Sequence, residues 1–268
     1  MKTNSKRRKG FTLVEMTTAT VIFTGIAITA TYFFLDTVKT QKVLSTKFDL
    51  QSTTRGQLDS ISKDIANSTA VLDTITIGPN VLKSDYQSAF LLKLPAHDSA
   101  GNGVGSFDTI AYHLVGSTAP FKLVRQVAPG TGSKRQAETR TVANHVYGMT
   151  VTYYAHETLP SDGKTSSFTL TGVALASSLV VNVNGAEVRA SNAANALLTV
   201  LSKNLNFSAP PKQTDTVEAI YEVDPSVDSA RVAEVQVSIK TMKTASELGA
   251  NLPSQIFEAQ SRAMLLNH

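Results

Sequence analysis

The chain has 268 residues, 42% of them hydrophobic, no cysteine and a formal net charge of +4. Five of its basic residues lie within the first ten; the remainder carries 20 Lys+Arg against 21 Asp+Glu, so the basic balance gives no argument for a nucleic-acid partner. Without cysteine there is no disulfide framework, and folding rests on a core that a chain of this length can bury.

The polar, basic stretch MKTNSKRRK comes first, followed by Gly10-Phe11-Thr12-Leu13-Val14 and Glu15. From Met16 to Leu35 no residue is charged, about the 20 residues needed to cross a bilayer as a helix. A secretory signal has a shorter apolar core followed by a small-residue cleavage site. Here the basic leader and the candidate cut precede the apolar run. Glu15 is the run's single charge, and a carboxylate there costs about 2.5–3.5 kcal/mol on insertion scales. It therefore needs a partner, and an α-amino group created at Phe11 by a cut after Gly10 would supply one. A plain signal anchor carrying an accidental Glu15 is the competing interpretation. Lys2, Lys6, Arg7, Arg8 and Lys9 put the N-terminus on the cytoplasmic side and everything after Asp36 outside.

The string KGFTLVE ahead of an uncharged apolar run resembles the cleavage and methylation motif of the type IV pilin and type II secretion pseudopilin superfamily. The resemblance implies cleavage by a prepilin peptidase between Gly10 and Phe11, N-methylation of Phe11, and a role for Glu15 in subunit assembly. It implies as partners the other major and minor subunits, an inner-membrane assembly platform and membrane lipid. It also implies residence in the inner membrane as a single-pass protein, with the C-terminal part periplasmic, before extraction into a filament. No nucleic acid partner is expected.

From Asp36 to about Ala66 there is no proline. Val38, Leu44, Phe48, Leu58, Ile61 and Ile65 recur at helical spacing, with Lys39, Lys47, Asp49, Asp59 and Lys63 opposite. No breaker separates this stretch from the apolar run, so the pattern predicts one helix from about Phe11 to Ser68, about 85 Å long. After Ser68 the period changes to two. Strands are expected at Val71–Ile77, Ala89–Leu94, Phe107–Val115, Phe121–Val127, Val146–Tyr154 and Val232–Lys240, forming an antiparallel sheet on the helix. The order of these strands, with Tyr112, Arg125, Tyr153 and Tyr154 at their places, looks like the J-type minor pseudopilins and the PilW-like minor pilins. Residues 157–230 interrupt that plan with β-like runs at Ser167–Ala176, Leu179–Val183 and Val217–Val223 and a possible short helix at Asn195–Leu201.

The expected fold is therefore α+β: one long N-terminal helix, membrane-spanning in its first half and amphipathic in its second, packed on an antiparallel β-sheet domain with an inserted small β lobe. The expected segments are a cleaved leader over 1–10, a transmembrane helix over 11–35 and its amphipathic continuation over 36–68. A β-sheet domain over 69–156, the lobe over 157–230, and a final strand with a C-terminal tail over 231–268 complete the chain.

Other motifs are weaker. Gly130-Thr131-Gly132-Ser133-Lys134 lacks the spacing of a phosphate loop and is expected to be a hairpin loop. Asp98, Asn102 and Gly103 match three positions of a calcium loop, but Ala100 and Thr109 occupy two others. His97, His113, His145, His156 and His268 show no zinc spacing, and no Gly-x-Ser-x-Gly occurs. No catalytic residue, metal ligand or cofactor is assigned, and a looser calcium site elsewhere stays open because the resemblance extends to major pseudopilins that carry one. Two functional classes stay open: a non-enzymatic filament assembly subunit, and a membrane-tethered periplasmic binding module that uses the inserted lobe.

Overall fold

The computed structural model describes residues 11–77, 80–172, 178–188, 198–201, 204–244 and 253–266. The leader and Gly10 lie outside the described residues. Among the described residues one long helix, α1 (Leu13–Ala66), precedes fifteen strands. The chain divides into a smaller body that holds α1 through Phe48, and a larger one running from Asp49 to Lys243 and resuming at Ile256.

In the smaller body α1 is exposed along its whole apolar run. Several threonines within that run fold their hydroxyls back onto the helix. Thr17 donates to the Val14 carbonyl at 2.9 Å, Thr20 to Met16 at 2.8 Å, Thr24 to Thr20 at 2.8 Å and Thr31 to Ala27 at 2.8 Å. These hydroxyls are thus satisfied within the helix itself, as suits a segment surrounded by hydrocarbon.

In the larger body the second half of α1 lies on the sheet. Leu50, Leu58, Ile61 and Ile65 are buried, and so is Thr54, whose hydroxyl meets Thr241 at 3.0 Å. The spacing 50, 54, 58, 61, 65 is one helical face. It corrects the expected stripe at its upper end: Leu50 and Thr54 belong to it, whereas Val38, Leu44 and Phe48 are exposed. A polar lock adds to the contact. Asp64 accepts from Tyr112 Oη at 2.6 Å and from Arg125 Nε at 2.8 Å, tying α1 to two strands. The helix ends where Asn67 and Ser68 cap its last turn, donating to Lys63 O at 2.8 Å and Ile65 O at 2.6 Å.

The main sheet contains β1 (Ala70–Leu72), β4 (Ala89–His97), β5 (Gly103–Val115), β6 (Phe121–Ala128), β7 (Glu138–Leu159), β9 (Val180–Val183), β10 (Ala186–Val188), β13 (Val217–Glu222), β14 (Glu234–Lys243) and β15 (Gln255–Met264). Its order is β1-β4-β5-β6-β7-β13-β9-β10, with β14 and β15 branching from β7. Among the described residues these strands pair antiparallel, including the expected β5–β6 hairpin, where Ile110 faces Val127. Phe90, Leu92, Ile110, Tyr112, Val151, Tyr153, Val235, Val237 and Ile239 form one core cluster with the helix stripe. Phe90 and Tyr112 stack with centroids 4.9 Å apart.

Three details differ from the sequence expectation. Val71–Ile77 is not one strand. It breaks at Asp73 into β1 and β2 (Thr74–Ile77), and β2 forms its own hairpin with β3 (Asn80–Lys83). Within 157–230, β13 and β9 extend the main sheet because β13 pairs directly with the end of β7, Val217 facing Leu159. A separate three-stranded sheet holds β8 (Ser167–Thr169), β12 (Asn204–Phe207) and β11 (Leu198–Leu201), so Leu198–Leu201 is strand, not helix. Residues 195–197 lie outside the described residues. Finally, the expected C-terminal tail contains β15, bound to β14 through Arg262 with Glu234, Gln260 with Gln236 and Glu258 with Ser238.

Candidate functional site: the start of the apolar helix

Phe11 is the first described residue and is exposed. Thr12 is the N-cap of α1. Its hydroxyl accepts from the Glu15 amide at 3.2 Å, and Glu15 Oε2 accepts from the Thr12 amide at 2.8 Å and the Thr12 hydroxyl at 3.0 Å. This reciprocal pair is a capping box, which satisfies two of the amides that a helix start leaves unbonded. An acidic side chain in the first turn also suits the positive end of the helix dipole. The Thr-x-x-Glu signal was present in the sequence, but the reading there weighed Glu15 only against an α-amine. The structure brings Glu15 to Thr12, the second residue after the expected cut. Gly10 is not among the described residues, so only the Phe11 side of that bond has a position.

The geometry makes the site a polar knot at the tip of an apolar rod. One helix among the described residues, α1, is long and apolar enough to cross a membrane. That is the coarse observation to which membrane anchoring attaches.

The remaining sequence candidates resolve into structural ties. Asp108 is fully buried and holds the β6–β7 loop: it accepts from the Gly130 amide at 2.8 Å, from Ser133 Oγ at 3.0 Å and from Arg135. Burial alone would raise its carboxyl pKa, but the Gly130 amide and the Arg135 and Ser133 side chains hold it below the usual value. A Cβ on Gly130 would collide with the Phe107 carbonyl oxygen, so glycine is required there for close packing and not to cradle phosphate. Asp98 turns onto the Ala100 and Asn102 amides at 2.9 and 2.8 Å, closing the β4–β5 loop on itself.

His156 Nε2 lies 2.8 Å from Glu234 Oε2, and Arg262 grips the same carboxylate with two 2.6 Å bonds. Burial pushes Glu234 upward, and the Arg262 and His156 contacts outweigh it to leave the carboxyl below its ordinary value. Arg262 also lies 4.3 Å over the Tyr154 ring. Glu157 gathers the Thr171 amide and hydroxyl, the Gly172 amide and the Tyr221 hydroxyl, fixing the chain after β8 against β13. Sequence reading missed Asp64, Asp108, Glu157 and Glu234, because a single charge within a strand or helix carries no local sign of its distant partner. Among the described residues no group of three or more His, Cys, Asp or Glu side chains could hold a metal ion.

No protein-family model, curated protein or solved structure matches the chain.

Proposed function

We propose that the chain is a minor pilin or pseudopilin-like assembly subunit without enzymatic activity. It is held in the inner membrane by the first half of α1 and drawn into a filament served by a type II secretion or type IV pilus machine. The observation that carries this reading is the coincidence of three features on one helix. The KGFTLVE motif runs into the helix start at Leu13, the uncharged run after it is exposed on every side, and the same helix then becomes the buried spine of an antiparallel sheet domain. A soluble α+β protein has no use for about 20 exposed apolar residues, and a simple anchor has no use for continuing that helix into the core.

In this reading a prepilin peptidase cuts between Gly10 and Phe11 on the cytoplasmic side, and Phe11 becomes the methylated N-terminus. Glu15, capped by its own Thr12, then has a new cationic amine four residues away in sequence and the same amine on each neighbouring copy. Repeated head-to-tail contacts of this kind build an open helical assembly. Placement near the filament tip follows from the likeness of strand order to the J-type subunits. Co-expression with a prepilin peptidase tests the processing step. Wild type should shift to a shorter form, whereas Gly10→Val should stay at precursor size in the membrane fraction. Normal processing of Gly10→Val would overturn the assignment of the cut.

A further inference from the structure

Two Asn-Gly dipeptides occur in the chain, Asn102-Gly103 at the turn from β4 into β5 and Asn184-Gly185 at the turn from β9 into β10. All four residues are exposed. The pair is chemically labile, because a glycine nitrogen has no neighbouring Cβ to block its approach to the carbonyl carbon of the asparagine side chain.

The two turns hold their carboxamides differently. Asn184 is gripped at both ends: its Nδ2 donates to Asp215 Oδ1 at 2.9 Å, and its Oδ1 accepts from the Thr216 amide at 2.9 Å. The Asn184 amide also donates to the Thr216 carbonyl at 2.9 Å, and Asp215 is itself fixed by the Lys212 amide at 2.8 Å. Asn102 is held through its backbone instead. Its amide donates to Asp98 Oδ1 at 2.8 Å, and its carbonyl accepts from the Asp98 amide at 2.9 Å. Its carboxamide makes one long bond, from Nδ2 to Asp98 Oδ2 at 3.3 Å, and among the described residues no donor reaches its Oδ1. The Asn102 side chain can therefore turn towards Gly103 almost without loss, whereas that of Asn184 must first break both of its bonds.

We propose that Asn102 is a site of spontaneous deamidation, and that the fold protects Asn184 in the same dipeptide. The Gly103 nitrogen gives its proton to solvent base and attacks Cγ of Asn102. A new C–N bond closes a succinimide ring, and the side-chain nitrogen leaves as ammonia. Water then opens the ring at either carbonyl and leaves aspartate or isoaspartate at position 102. The new carboxylate replaces the Nδ2 donor that faced Asp98, so like charges meet in the β4–β5 turn.

The test ages the full chain in detergent in mildly alkaline buffer and scores its tryptic peptides by mass spectrometry for conversion of amide to acid. Conversion at Asn184 should run about ten-fold slower than at Asn102, the factor that its pair of side-chain hydrogen bonds supplies. Asp215→Ala removes one of that pair and should speed Asn184 about three-fold while leaving Asn102 unchanged. In urea, where both turns are lost, the two rates should converge. A Cβ at Gly103 meets nothing within 4 Å, so Gly103→Ala keeps the fold, and it should slow conversion at Asn102 several-fold. Equal rates at the two sites in the folded chain, or faster loss at Asn184, would overturn the proposal. So would an Asn102 that stays intact while the urea-unfolded chain converts, an Asn184 that ignores Asp215→Ala, or a Gly103→Ala chain that converts at the wild-type rate.

Discussion

Ile61 and Phe48 lie on one helix, and the structure assigns them opposite fates. Ile61 is 0% exposed in the core cluster, whereas Phe48 is 66% exposed. Ile61→Ala removes three carbons from a packed site. At about 0.8 kcal/mol per buried methylene the transfer loss is about 2.4 kcal/mol. The residual cavity adds to it, giving about 3–4 kcal/mol, within the usual range for such truncations. For a domain of this size each kcal/mol moves the melting temperature by about 2–4 °C, so a fall of about 6–16 °C is expected. Phe48→Ala removes more apolar surface but little of it is buried by the chain's own sheet, so its effect should stay within about 0.5 kcal/mol. Ile61→Asp should be worse than Ile61→Ala, because it forces an unpaired charge into the same contact. Near-UV circular dichroism melts of the full chain in detergent would report the order. If Ile61→Ala and Phe48→Ala shifted the melt equally, or neither did, the second half of α1 would not be packed on the sheet and the architecture would be wrong.

Gly130→Ala should destabilise the β6–β7 loop despite its conservative chemistry, because the added methyl meets the Phe107 backbone; amide exchange at Gly130 and Ser133 should accelerate. Asp108 and Glu234 have native carboxyl values held below their ordinary ones. Their stabilisation is therefore complete above about pH 4–4.5 and is lost as pH falls through the lowered native values. Urea midpoints should hold between pH 7 and pH 5 and drop below pH 4, and the acid loss should shrink in Asp108→Asn, which is already weakened at neutral pH. Glu15→Leu should insert into membranes at least as well as wild type but co-purify less with partner subunits; undiminished co-purification would remove Glu15 from assembly. Thr12→Val should loosen the helix start in the same way that Glu15→Ala does, seen as faster exchange of the Thr12 and Glu15 amides, since each breaks one half of the capping box.

The parts of the fold that were legible in the sequence are those with a strong local period. The long helix stood out because no proline interrupts 54 residues, and β5, β6 and β14 because their apolar and polar residues alternate. The upper helix stripe was misjudged because Thr54 is polar, and only its meeting with Thr241 shows why it is buried. β15 was taken for tail because Gln255, Ala259, Gln260 and Ser261 have weak strand preference, and its support is cross-strand. Asn184-Gly185, between Val183 and Ala186, is a two-residue hairpin signal that went unread. Both residues have positive φ, 54° and 79°, as the turn between β9 and β10 requires. Joining β13 to the end of β7 across nearly 60 residues leaves no local trace, so the continuity of the sheet through 157–230 could not be seen in advance. At the candidate site the sequence located Glu15, and the structure supplied Thr12 as its partner.

The central claim is that this chain is processed and assembled as a pilin-like subunit, and the mass of its mature N-terminus tests that claim most directly. Protein recovered from a membrane containing an active prepilin peptidase should yield an N-terminal peptide that begins at Phe11 and carries one added methyl group on its amine. A peptide that retains the leader through Gly10, or a cut placed after the apolar run instead of before it, would contradict the account.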